Sequence, residues 1–579
     1  MTGSASFRSG PHRGWVVWGL GALLLWLVAA PVGMLVLAAL TADPTHLPAS
    51  RAPSLAAFAR AWLDPATWGV MGSSLQFAAG SCALGLAIAA LFAWAIERTD
   101  IPGRRLLFIA ILAPMAIPGM IYATAWTQLL NSSNGLLNVA VARMGFAQPR
   151  TGLLSLGGMI LVQGLALASH AYLLIAAAFA TIDPSWEEQS RIAGRGAAAS
   201  LLRITLPLLR PALLAAAIYF FLVCIETFDV PGMIGLSAHI EVLSTRIYWA
   251  THPESGQLPD YGVASALALL LLLIALGLMR LHRGEAGRAR RFVTITARGY
   301  RPRRLRLARW RWPLLALLWA ILVPVAILPL FMLIWRSLLR FYTFPSAAAL
   351  NRLTWFGYRA VLGEPDSLHM LTNTAIVAGT ASVATVAIAA AIAYVSVRAR
   401  PGPARTWLRR GALLPQAIPS VVLGFSVMML YLMLPIGIYG TVWIIALALT
   451  TKYLAGSAAS LIAAQMQIAP ELWEASSLAG AGSWRTWRLI VAPLLAPAFA
   501  NVALWVLIHA IRELAIAIML YSPASSVVAT QVWALWEGGQ MTELSALGVL
   551  ATALLVCLLS LPTLWRLCAR HAGRRRSVA

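Results

Sequence analysis

Apolar runs of about twenty or more residues recur along the chain, separated by short polar stretches, and a helix of that length crosses the hydrocarbon of a bilayer. In the first half the runs lie near 15–40, 68–96, 106–130, 153–180, 206–226 and 261–281. In the second half they lie near 313–338, 371–397, 411–434, 441–465, 488–511 and 545–567. The pattern predicts twelve spanning helices arranged six plus six. The first run follows Arg8 and Arg13 and is longer than the roughly 7–15 apolar residues of a cleaved leader, so it reads as a first span.

Composition narrows the class. Hydrophobic residues make up 60% of the 579 and charged residues 11%, against about a quarter charged in soluble domains. A cytosolic enzyme and a disordered chain are both excluded. The formal charge is 44 − 20 = +24, but its distribution points to a lipid bilayer as partner and not to nucleic acid. Residues 283–311 hold eleven arginines against one acidic residue, Glu285, and such segments stay in the cytoplasm. Arg98, Arg104 and Arg105 fall on the same side, as does the tail with Arg566, Arg570, Arg574, Arg575 and Arg576. Both termini are therefore expected to be cytoplasmic. The opposite loop 229–260 carries Arg246 against Asp229, Glu241, Glu254 and Asp260. Trp94, Trp310, Trp312 and Trp335 sit near span ends, where indole rings favour the headgroup layer. Cys82, Cys224, Cys557 and Cys568 are scattered without a CxxC pair, so no disulfide framework or metal site is expected.

The most informative feature is an internal repeat. Residues 184–212 align without a gap on 470–498 at an offset of 286. Twelve of the twenty-nine positions are identical: Pro184, Glu188, Ser190, Ala193, Gly194, Gly196, Ile204, Pro207, Leu208, Leu209, Pro211 and Ala212 with their counterparts. Chance would give about three in a composition this rich in Ala, Leu and Gly. A second match sets Pro114 and Pro118 against Pro415 and Pro419 at an offset of 301. The fifteen-residue difference fits in the loop 131–152, which contains Asn131, Ser132, Ser133, Asn134 and Gly135. Each repeated polar loop is expected to be a short helix opened by Pro184 or Pro470, its positive end favoured by Glu187, Glu188, Glu471 or Glu474. Gly194 or Gly480 turns it. A second helical stretch then runs to Pro207 or Pro493, where the next span begins. The result is a helix-turn-helix under the membrane.

Glu188, Ala193, Gly194 and Pro207, with Glu474, Ala475, Ala479, Gly480 and Pro493, resemble the EAA-loop signature of ABC importer permeases. Gly196 and Gly482 complete the matched positions. The second copy, Glu474-Ala475-Ser476, is nearer the family pattern than Glu188-Gln189-Ser190, which lacks both alanines and suggests unequal docking contacts. The resemblance covers nearly the whole chain as two fused halves and is similar to the ferric iron permeases. It implies an all-α integral membrane protein of about 12 helices in the type I (MetI-like) permease fold. The expected organisation is a cytoplasmic tail at 1–14, a first half at 15–282 with its coupling loop at 185–205, and a basic linker at 283–312. A second half follows at 313–567 with its loop at 471–491, then a basic tail at 568–579. In this family the loop is the coupling helix that docks on a cytoplasmic ATPase. The resemblance therefore implies two ATPase copies, an outer substrate-binding protein, a bacterial inner membrane location and ferric iron as cargo. Thiamine, polyamine, sulfate and phosphonate are alternatives.

The chain has one lysine, Lys452, and no G-x-x-x-x-G-K-[ST] loop. The chain is thus expected to be no enzyme and to bind no cofactor or metal, with ATP and Mg used by the partner. Ionisable residues within spans are few, and each is a functional hypothesis by default. Glu226 and Asp229 after the fifth span, with Arg512 and Glu513 at the equivalent place (226 + 286 = 512), are candidates for a polar gate. His170 and His509 read as hydrogen-bonded packing residues. The competing architecture is a twelve-helix secondary transporter of the major facilitator type, supported by the turn from Glu97 to Arg105. It gives no reason for a duplicated polar loop.

Overall fold

The computed structural model describes residues 12–41, 53–131, 135–145, 154–180, 182–183, 185–253, 258–291, 304–398 and 402–576. Pro184, Ser132, Ser133, Asn134, Glu254, residues 1–11, residues 292–303 of the basic linker and residues 577–579 lie outside the described residues. Among the described residues, ten helices are long and apolar enough to cross a membrane, and two further pairs of helices pass the same test but are sharply bent.

The bent pairs fall on the third and ninth apolar runs of the sequence. Arg104–Ala116 meets Gly119–Leu129 at 100°, and Pro403–Ala417 meets Ser420–Met433 at 105°. The repeated proline pair is the cause. Ile117 and Ile418, each preceding a proline, are extended at ψ 123° and 116°, because the following proline ring disfavours helical backbone. The matched prolines that mark the duplication are also what breaks the helix.

Other prolines are absorbed without a break. Pro31, Pro207, Pro329 and Pro493 each lie two residues beyond a five-residue π-helical turn, at Leu25–Ala29, Leu201–Thr205, Val323–Ile327 and Trp487–Val491. Proline lacks the N–H for an intrahelical bond and its ring presses on the carbonyl four residues back. Widening the preceding turn relieves both problems. The fifth and eleventh spans therefore do not begin at Pro207 and Pro493, as the sequence suggests. They run through them, as Leu201–Glu226 and Ser483–Arg512.

The helices pack into two compact units, residues 1–57 with 369–529 and residues 58–368 with 530–579. In the first, Val16–Ala39 lies against Ser420–Met433, and the Trp26 indole donates to the Tyr431 hydroxyl at 2.9 Å. In the second, Pro65–Arg98 packs along Leu156–Ala180 through small residues: a Cβ on Gly85 would lie 3.0 Å from the Gly164 carbonyl oxygen. Close backbone approach of this kind holds helices together where lipid removes the hydrophobic drive. The same unit seats Ala308–Ser337 against the helix that starts at Met541 and against Gly119–Leu129, with the Tyr122 hydroxyl donating to the Val325 carbonyl at 2.9 Å. Each unit thus combines the first span of one half with helices of the other. Trp335 is buried and donates to the Thr343 carbonyl at 3.0 Å.

Candidate functional site

The two repeated loops fold into matched elbows. In the first, helix Ser185–Ile192 is followed by Gly194 at φ +77°, then Ala197–Ser200 and the π turn Leu201–Thr205. In the second, helix Pro470–Leu478 is followed by Gly480 at φ +77°, then Ser483–Thr486 and Trp487–Val491. Both glycines occupy the left-handed region because the chain must reverse there, and neither is chosen for space, since a Cβ at either would meet nothing within 4 Å. The same cap closes both helices. The Arg195 N–H donates to the Ser190 carbonyl at 3.1 Å, and the Ala481 N–H to the Ser476 carbonyl at 3.0 Å. These are the six-to-one bonds of a glycine-terminated helix.

A buried hydroxyl pair pins the two arms of each elbow. Ser200 Oγ donates to Ser190 Oγ at 2.7 Å, and Ser476 Oγ lies 2.7 Å from Thr486 Oγ1. Both pairs obey the repeat offset, 190 + 286 = 476 and 200 + 286 = 486. Ser190 and Ser476 count among the identical positions, but their partners differ in residue type, so identity alone does not reveal the contact. The first helix is also capped by Asp183, whose carboxylate accepts from the Ser185 N–H at 2.9 Å.

Of the predicted coupling residues, Ala193, Gly194, Gly196, Pro207, Glu474, Ala475, Ala479, Gly480, Gly482 and Pro493 are exposed and Glu188 is partly so. Glu187 departs from the sequence expectation. It is 4% exposed and accepts from the Thr205 hydroxyl at 2.8 Å, so it acts inside the elbow and not at its surface. The exposed face carries apolar side chains that residue identity misses. Ile192 is 86% exposed and Leu478, its equivalent (192 + 286 = 478), is 88% exposed. Trp186 and Leu472 form a second equivalent exposed pair. Large apolar residues are thus exposed at matched positions of both elbows.

Of the gate candidates, Asp229 lies beside a bent pair. Asp229 seats its carboxylate against Gly119, the first residue of Gly119–Leu129, where a Cβ would collide with it. Unpaired amides at a helix start favour such an anion. Glu226 ends the fifth span. In the other unit, Glu513 accepts from the Tyr453 hydroxyl at 3.0 Å, and Lys452 Nζ donates to the Ile418 carbonyl at the helix break, 3.2 Å away. Arg512 ends the eleventh span. Lys452 and Tyr453 thus join a polar cluster that sequence position alone does not announce. The His509 ring lies 4.6 Å from the Trp505 ring, tilted by 39°, and bonds the Trp505 carbonyl at 2.8 Å, and His170 bonds the Ala166 carbonyl at 3.3 Å, as packing residues do.

At the end of the second unit opposite its elbow, a cavity of about 1260 Å³ is lined by Trp249, Trp533, Trp536, Glu241, Arg246 and Glu537, among others, with Glu241 and Arg246 paired at 2.8 Å. The turn from Glu97 to Arg105 does not stand free as a loop between spans. Asp100 accepts from the Leu307 N–H at 2.9 Å, and the Leu305 N–H donates to the Arg98 carbonyl at 2.9 Å, so the inter-half linker is stitched to it.

Residues 384–567 match the family model described as the binding-protein-dependent transport system inner membrane component. The chain is 25% identical over 487 residues to the ferric transport system permease protein FbpB of Actinobacillus pleuropneumoniae, covering 83% of this chain and 68% of that protein. A Haemophilus influenzae relative with a provisional ferric transport permease name, FbpB 1, is 26% identical over 451 residues, covering 77% and 68%. Among solved structures, a bacterial ABC transporter involved in import of the polysaccharide alginate aligns with a TM-score of 0.37 and 18% identity, covering 49% of this chain and 97% of that one.

Proposed function

We propose that this fused two-half permease of a type I ABC importer, kin to the ferric transport permeases, moves ferric iron across the bacterial inner membrane by alternating access. The observation that carries the reading is the pair of matched elbows, each closed by a left-handed glycine and a buried hydroxyl pair, each with an exposed apolar side chain at the equivalent position. One lever per half is what two copies of a cytoplasmic ATPase require. ATP and Mg are used by that partner, and this chain binds no cofactor of its own. Both termini face the cytoplasm, which puts the elbows on the arginine-rich side.

A loaded substrate-binding protein docks on the outer face, where the cavity lined by Trp249 and Trp533 receives cargo. ATP closes the ATPases on Ile192 and Leu478, and the force passes through Glu188, Gly194, Pro207 and their counterparts into the spans. Glu226, Asp229, Arg512 and Glu513 act as polar gate residues, with Asp229 seated at Gly119. The ferric relatives support iron as cargo.

Purification from native membranes tests the class: two copies of a P-loop ATPase per chain are expected, and a chain that purifies without any nucleotide-binding partner contradicts it. Iron bound to the accompanying outer-face protein is expected in metal analysis. Docking strength is tested on the elbow itself. Burying a leucine is worth about 1.5–3 kcal/mol, so Leu478→Asp is expected to weaken ATPase pull-down by about tenfold or more. Glu474→Lys, at an exposed polar position, is expected to weaken it less. Unchanged pull-down for Leu478→Asp would remove that face from the contact.

A further inference from the structure

The second span of each half is held at both ends, in the same way in both halves. At the elbow end stand Arg98 and Arg398, the last residues of the helices Pro65–Arg98 and Pro365–Arg398, which correspond at an offset of 300. Arg98 is buried. It donates to the Phe179 carbonyl and, at 2.8 Å, to the Ile182 carbonyl, and its guanidinium lies 3.8 Å from the Glu187 carboxylate, which in turn accepts from Thr205 at 2.8 Å. Arg398 sits over the Trp473 ring at 3.9 Å, and Trp473 is buried in a cluster with Val491.

Trp473 and Val491 occupy the positions of Glu187 and Thr205, since 187 + 286 = 473 and 205 + 286 = 491. The partners have changed chemistry together, carboxylate with hydroxyl in one half and indole with aliphatic in the other, while the arginine is present in both. Guanidinium serves both settings, pairing with a carboxylate and stacking on an aromatic face. At the far end, Ser74 Oγ accepts from the Leu243 N–H at 2.8 Å and Thr374 Oγ1 accepts from the Val528 N–H at 2.9 Å, at the offset of 300. Those amides open the helices Leu243–Thr251 and Val528–Glu537. The 24 residues from Ser74 to Arg98 span about 36 Å of helix. This helix has no π turn, unlike the first, fifth, seventh and eleventh spans.

We propose that the second span of each half is a rigid strut that carries elbow motion to the opposite side of the membrane, with Arg98 and Arg398 as the positioning residues that lock elbow to strut. The inference rests on the elbows being the point where ATPase force enters. Its test uses the full chain assembled with its ATPases and binding protein, reading cargo moved per ATP hydrolysed. Arg98→Met and Arg398→Met keep the apolar stem, and both are expected to assemble and hydrolyse ATP while cargo per ATP falls about tenfold.

Thr374→Val, at the far end of the strut from the elbow, is expected to lower the same ratio without touching ATPase docking. Glu187→Trp with Thr205→Val gives the first elbow the pocket of the second, and the double variant is expected to recover most of the transport that Glu187→Trp alone loses. A normal ratio in both arginine variants and in Thr374→Val overturns the strut. So does a double variant no better than the single. Failure of the wild-type chain to bind any ATPase would instead contradict the importer reading itself.

Discussion

Replacing Gly480 with valine is expected to reduce cargo uptake to background while leaving the protein inserted in the membrane at normal level. No neighbour lies within 4 Å of the position where a Cβ would stand, so a clash cannot be the cause. The cause is the backbone. At φ +77° a residue with a Cβ costs about 1–2 kcal/mol, and a β-branched one is a true outlier. The chain escapes that cost by opening the cap, losing the bonds from the Gly480 N–H to the Ser477 carbonyl and from the Ala481 N–H to the Ser476 carbonyl. Leu478, just before the turn, then leaves the position proposed here to meet the ATPase. Asparagine tolerates the left-handed region, so Gly480→Asn is expected to keep most of the activity. Uptake assays in membrane vesicles, normalised to the amount of inserted protein, check both. Equal loss in the two variants would mean that something other than φ matters there.

Gly119→Ala is expected to have the second large effect, because its Cβ would land on the Asp229 carboxylate. Forcing an extra methyl into a packed site costs about 1–3 kcal/mol, and here it also drives the carboxylate from the start of the helix Gly119–Leu129. Thermal unfolding of the purified protein should shift down and uptake should fall by about tenfold. Asp229→Ala in the Gly119→Ala background separates packing from function. The double variant is expected to regain thermal stability, since the collision is gone, but not uptake, since the carboxylate proposed for the gate is gone too. Full recovery of uptake would remove Asp229 from the gate.

Much of this was legible in the residues, and what was not has definite physical reasons. Apolar run length located the ten helices that are long and apolar enough to cross a membrane and the two bent pairs among the described residues, because bilayer thickness imposes a length that soluble folds do not. The elbows were legible because glycine and proline are chosen for backbone geometry, which leaves a mark in identity. The bends before Pro118 and Pro419 are not legible in the apolar pattern, which continues across them, and only the backbone preference of Ile117 and Ile418 signals the break. The clamp of Arg98 on Glu187 and of Arg398 on Trp473 was invisible to an identity search, since its partners share neither charge nor shape. Ile192 and Leu478 were missed for a related reason: exposure of an apolar residue is a tertiary fact. The exchange of first spans between packing units likewise leaves no local pattern, because a lipid-facing and a helix-facing leucine look alike in sequence.

The central claim is that this permease body is driven by force delivered to its two elbows from a separate ATPase. The most direct test reconstitutes the chain into liposomes and follows accumulation of ferric iron against its gradient. Accumulation is expected only when the ATPase, ATP with Mg and the loaded binding protein are all supplied, and it should be lost with Gly480→Val. Accumulation by the chain alone, driven by a proton or sodium gradient without nucleotide, would contradict the account.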